Sequence, residues 1–165
     1  MTESTSIATV DAEIVTDPAL VPAGSRQFAF DSIRALANPT SGVATSIDLN
    51  PANAVRLYKV NSDAEPLEEN IGTVINLRHY VATVVDFQAE TRPGHFETRT
   101  GVRLVLVDDV EGKSYATMSE VVMSDLKQLI GLAGHPSTWE EPIRVVAAKV
   151  KGRGARSFLT LKIAD

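Results

Sequence analysis

Between Lys151 and Arg156 the chain reads KGRGAR, with three cations, two glycines and no acidic group in six residues. Cations on a glycine-flexible turn suit contacts to successive phosphates, and the competing reading is an ordinary solvated hairpin turn. The Walker pattern is missing, so nucleotide hydrolysis is not implied. Lys149 and Lys162 extend the strip, and residues 143–165 carry six basic side chains against Asp165 alone. A second group lies in QAETRPGHFET (Gln88–Thr98), which holds Arg92, His95 and Phe96. An aromatic ring in a polar stretch containing Gly94 is hard to bury. As a stacking platform it would contribute about 1–3 kcal/mol per base, and the alternative is local packing of the loop. Arg99 and Arg103 fall on one face of an alternating run, as do Arg78 and Tyr80 unless a bulge intervenes. For Tyr80, Tyr115 and Phe158, half-buried packing and base stacking both remain open.

These side chains need a frame, and the patterning supplies one. Ile71–Phe87 is long and β-branched, with Gly72 early in it. Arg99–Val107 alternates, with Val102, Leu104 and Leu106 on one face. Asp108–Lys113 reads as a turn and Ser114–Met118 as a third strand. Ser119–Ala133 carries Val122, Leu126, Leu129, Ile130 and Ala133 on one helical stripe, closed by Gly134 and Pro136. Ile143–Val150 and Phe158–Ile163 complete five strands, with Trp139 plugging the connection before the fourth. Three strands, a helix and a two-stranded hairpin predict a mainly β chain, a five-stranded OB-type Greek-key barrel with the helix between strands 3 and 4. OB barrels bind oligonucleotides on strands 2–3 and on the loops joining strands 1–2 and 4–5, where Arg92, Phe96, Arg99, Arg103, Tyr115 and the KGRGAR turn fall, while Arg78 and Tyr80 lie on strand 1, Lys149 on strand 4, and Phe158 and Lys162 on strand 5.

Ahead of the barrel, residues 1–25 lack an apolar period and read as a disordered acidic tail. Residues 26–70 read as a helical extension, with a short helix over Phe28–Ala37 and another over Pro51–Val60 capped by Asn50. Residues 71–165 then form the nucleic-acid-binding domain.

Composition narrows the function further. The 165 residues contain no cysteine, which removes thiolate nucleophiles, thiolate metal sites and disulfides. His79, His95 and His135 lack ligand spacing, so neither a metal nor a cofactor is expected. Asp108-Asp109 reads as turn chemistry rather than paired catalysis. The start, MTESTSIATVDAEIV, has no basic n-region or apolar h-region, and no apolar run approaches a membrane span, so a cytoplasmic location away from membranes is expected. The net charge of −5 is uneven: residues 1–70 hold four basic against ten acidic groups, and residues 71–165 twelve against eleven. Single-stranded DNA, met by local cations and aromatics, is therefore the expected partner, with no catalysis.

Four runs resemble a known family: NAVRLYKVNSDAEPLEENIG (Asn53–Gly72), the helix after SYATMS (Ser114–Ser119), STWEEPIRV (Ser137–Val145) and FLTLKI (Phe158–Ile163). They look like the single-stranded DNA-binding proteins of phages and mobile elements of Gram-positive bacteria, over about residues 50–165. The resemblance implies protection of single-stranded replication or recombination intermediates in the bacterial cytoplasm, including that of an infected cell. It leaves out Gln88–Thr98 and residues 1–45, and it assigns no DNA contacts. Two rivals stand beside this expectation. One is an OB-type adaptor that recruits replication or recombination proteins through the acidic N-terminal half. The other is a single-stranded RNA-binding domain. A homo-oligomer fits any of the three.

Overall fold

In the computed structural model, residues 42–152 and 156–164 are described. The expectations for the acidic tail over 1–25 and the helix over Phe28–Ala37 lie outside them. The β-branched run becomes strand β3, Val74–Arg92, paired antiparallel along nearly its whole length with β4, His95–Asp108. The stretch 88–98, expected as a loop, is instead a two-stranded ribbon. Arg92 pairs with His95, so the chain reverses at Pro93-Gly94. Gly94 has φ +79, a left-handed conformation that glycine takes without a side-chain clash, and its N–H donates to the Glu90 carboxylate at 2.8 Å. Both ribbon faces are solvated, so no apolar alternation marks it as strand.

The register slips by one residue between Leu77/Asp108 and His79/Val107, leaving Arg78 as a bulge. This shift sets the inner face of β3 as Ile75, Leu77, Tyr80 and Ala82. It also separates Tyr80 from the face of Arg78.

The edge of β3 away from β4 is used twice. Residues 74–77 pair with β6, Ile143–Lys151, and residues 81–83 with β1, Val43–Thr45. Beyond β4 come β5, Ser114–Thr117, and a parallel two-residue β2, Glu65–Pro66. On the far side β6 pairs with β7, Ser157–Ile163. The result is mainly β: a curled mixed sheet of order β2-β5-β4-β3-β6-β7, with β1 on β3. Among the described residues it has seven strands, two more than the sequence predicts. β1 and β2 are too short to show a period, yet Ala44 of β1 and Leu67, in the single 3-10 turn that follows β2, join the same core as the later strands.

Two α-helices and two single-turn 3-10 helices, Leu67–Glu69 and Pro136–Thr138, complete the described structure. Helix α1, Pro51–Ser62, begins as its sequence predicts, with the Asn50 side chain accepting from the Asn53 N–H at 2.9 Å and proline at the first position. It lies on the outer sheet face, where Leu57 and Val60 pack against Ile47, Val81 and Val105. Helix α2, Glu120–Ala133, follows β5 and buries Val122, Met123, Leu126 and Ile130. Ala133, expected on that stripe, is exposed at the last position of the helix. Gly134, φ +84, ends the helix with its N–H on the Ile130 carbonyl. Trp139 plugs this end as expected, its indole N–H shared between the Ala133 and Gly134 carbonyls at 3.1 Å.

α2 also ties the two arms of the curled sheet together. Asp125 accepts from the Thr160 hydroxyl and the Leu161 N–H, both at 2.8 Å, while Ser119 donates to the Leu159 carbonyl at 3.4 Å. Among the described residues no ladder joins β5 to β7.

Asp108 is a structural carboxylate, as its turn position suggests. Buried at the end of β4, it accepts from the N–H groups of Val110, Glu111 and Asn76 and from the Asn76 amide. Burial alone would raise its pKa, but these donors hold the carboxyl below its ordinary value. A depressed folded-state pKa gives stability that is present above the unfolded-state pKa and lost as pH falls through the folded one. Asp108→Ala should therefore cost about 1.5–3 kcal/mol at neutral pH. In urea melts the gap between variant and wild type should narrow below about pH 4. A gap independent of pH would show that the ionised form is not what the turn requires.

Candidate nucleic-acid interface

Residues directly opposite in an antiparallel ladder share a face, so the β3–β4 register sorts the ribbon. Phe96 faces Glu90, on the side that continues through Thr98, Thr100 and Val102 to the inner core positions Leu104 and Leu106. Arg99 faces Phe87 on the other side, with Gly101 and Arg103. Phe96 and Arg99 therefore do not share a face, although both are exposed, Phe96 at 63%. Arg92 and His95 flank the reversal, also exposed. Arg99 lies 3.8 Å from Glu97, an open contact that holds it weakly.

Four of the candidates turn inward or tie elements together. Tyr80 and Tyr115 are 1% and 2% exposed, too deep to offer a ring face to a base. The bulge at Arg78 turned the first inward. Tyr115 pairs with Leu106 on the inner side of the sheet. Arg103 donates to the Asn61 carbonyl and side-chain oxygen at 2.8 and 2.7 Å, holding the C-terminal turn of α1 on the sheet. Arg78 donates to the Glu140 carbonyl at 3.1 Å, anchoring the segment before β6. Both arginines thus use one guanidinium nitrogen to tie neighbouring elements to the sheet.

The β6–β7 hairpin keeps its cations outside. Lys149 and Lys151 are exposed on one face, opposite Leu159 and Ser157. Phe158 and Lys162 are exposed on the other face, opposite Val150 and Val146. The hook closes through the Gly152 N–H on the Arg156 carbonyl at 2.8 Å, with Lys151 and Arg156 exposed. Arg153 lies outside the described residues. The pairings Leu77–Ile143 and Val74–Val146 carry β6 past the start of β3, whereas the ribbon contains the other end of β3. The two basic hairpins thus leave β3 at opposite ends.

A groove of about 750 Å3 lies beside Arg99, between the base of the ribbon and the start of α2. Phe87, Gly101, Met118 and Lys127 line it. None of these four was singled out from the sequence, where Phe87 and Met118 only close the strands expected over Ile71–Phe87 and Ser114–Met118 and Lys127 lies off the apolar stripe of its helix. Only the register places them side by side.

Two histidines are occupied structurally. His79 is held below its ordinary pKa by burial and then by Arg56, with Ser46 beside it. His135 is lowered by burial and accepts from the Ser137 N–H. Among the described residues no cluster of three or more His, Cys, Asp or Glu could hold a metal ion. No helix there is long and apolar enough to cross a membrane.

Residues 40–164 match the family model described as Phage Single-stranded DNA-binding protein. No curated protein and no solved structure matches the chain.

Proposed function

Because the chain belongs to the phage single-stranded DNA-binding protein family, we propose that it is a sequence-tolerant coat for single-stranded intermediates of replication or recombination. It would act without catalysis in the cytoplasm of a bacterial host. The match over residues 40–164 carries this reading. The exposed side chains support it: Arg92, Phe96 and Arg99 on one hairpin, and Lys149, Lys151, Arg156, Phe158 and Lys162 on the other. These can neutralise phosphates and stack bases without reading base edges, which suits binding at any sequence.

The architecture supports an OB-type barrel in which β3 to β7 are the five barrel strands and α2 lies between the third and fourth. β3 serves both halves, pairing with β4 along one edge and with β6 along the other. α2 bridges the arms where a closed barrel would pair its third and fifth strands.

Titration of labelled oligo-dT, duplex DNA and oligo-U at two salt concentrations tests the function. The single-stranded DNA should bind most tightly and lose affinity as salt rises. Preference for oligo-U would favour an RNA-binding domain, and no binding even at low salt would favour an adaptor. In the same assay Phe96→Ala should weaken oligo-dT binding by about 1–3 kcal/mol and leave the salt slope unchanged, since no charge is lost. A drop in fold stability with unchanged affinity would make Phe96 a packing residue.

A further inference from the structure

The sheath that α1 lays over the outer sheet face ends at Arg103, where the side chain grips Asn61. Beyond it the same face emerges into solvent with Gly101, Phe87 and Met118. Phe87 is 37% exposed and Met118 42%. Two large apolar side chains left open side by side call for an occupant.

Gly101 explains how they meet. A Cβ at this position would stand 2.9 Å from Cε1 of Phe87 and 3.1 Å from Cε of Met118. The bare backbone of β4 is what lets the Phe87 ring lean across it toward Met118. The cations Arg99 and Lys127 share the lining with one carboxylate, Glu120. The groove's volume falls within the range of about 300–1,000 Å3 typical of small-ligand sites, which is ample for a base with its sugar.

We infer that this groove is a nucleobase slot, in which one base of the single strand stacks on Phe87 against Met118 while Arg99 and Lys127 take the adjoining phosphates. The inference rests on the single-stranded DNA reading and gives it a specific site. An apolar floor flanked by an excess of cations matches a nucleotide unit, which joins a π-face to a negative charge. Stacking of this kind accepts any base, in keeping with a sequence-tolerant coat. Arg99 is free to turn toward a phosphate because its exposed contact with Glu97 is weak.

The test is a cycle between the ring and the base. Wild type, Phe87→Ala and Phe87→Trp are titrated with oligo-dT and with an abasic oligodeoxyribose strand of equal length. Phe87→Ala should weaken oligo-dT binding by about 5- to 150-fold and leave abasic binding unchanged, while Phe87→Trp keeps most of the oligo-dT affinity. Gly101→Val, which pushes the ring out of place, should reproduce the selective loss. Partial unfolding would lower both affinities together, so the ratio between the two strands isolates stacking. Equal losses on both strands, or no loss on either, overturn the slot while leaving DNA binding intact. If wild type binds neither strand, the functional reading falls and takes the slot with it.

Discussion

Replacing Leu126 by alanine should lower the unfolding free energy by about 2–5 kcal/mol, the range for buried leucine truncations. Leu126 is 0% exposed and sits in the middle of the buried stripe of α2, between Val122 and Ile130. Two features push the effect toward the upper part of that range. The packed positions on either side are held by their own neighbours, so the site has little freedom to collapse into the void. The helix also holds β7 through Asp125 and joins the two arms of the sheet, so loosening it weakens contacts that alanine at 126 never touched. Leu132 on the same helix is 82% exposed and provides the contrast. Leu132→Ala should shift stability by no more than about 0.5 kcal/mol. Urea melts of both variants decide the matter, and similar small losses for the two would mean that α2 does not close the core.

α2 was legible in the sequence because two independent signals agree on it, a 3.6-residue apolar stripe and a glycine stop, while the structure makes Ser119, expected as its first residue, its cap. The second half of β4 was legible for a related reason. Its Val102, Leu104 and Leu106 face a single core, so alternation survives in the residue types. The β6–β7 hairpin reads as expected on the same grounds, with Phe158, Thr160 and Lys162 on one face.

What escaped the sequence has physical causes that can be named. The bulge at Arg78 leaves no compositional mark, yet it moves every later residue of β3 to the other face and takes Tyr80 into the core. The ribbon 88–98 has water on both sides, so nothing selects apolar residues at every second position. Arg103 looked like a surface cation because its partner, Asn61, belongs to a helix that covers the sheet from outside. β1 and β2 are short enough that only their pairing defines them. For the interface, exposure of the cations was foreseeable from residue type, whereas the Phe87–Gly101–Met118 floor depends on register alone.

The hook is the strongest functional test that leaves the fold alone. Its closing bond runs between the backbone of Gly152 and Arg156, so the turn does not depend on its cationic side chains. Lys151 and Arg156 are exposed, and single alanine substitutions at Lys151, Arg153 and Arg156 should each change stability by no more than about 0.5 kcal/mol. Their effect on binding should be far larger. Each phosphate neutralised on a single strand contributes a log–log salt slope of about −0.7 through counterion release. Removing three contacts should therefore flatten the slope by up to about 2 and weaken binding to every sequence. A slope of 2 corresponds to about 100-fold in affinity for each tenfold change in salt, so low-salt titrations will show the loss most clearly. Arg153→Lys with Arg156→Lys should keep most of the salt dependence, because a point charge suffices where no fork geometry is needed. The outcome also bears on how the strand lies. The hook and the ribbon leave β3 at opposite ends, so a strand that uses both must cross the sheet between them. If the triple alanine variant keeps wild-type slope and affinity while Phe96→Ala or Phe87→Ala loses binding, the strand stays at the ribbon end and the hook is a solvated turn. If both ends lose affinity independently, with free-energy losses that add, the DNA runs across the sheet from one basic hairpin to the other.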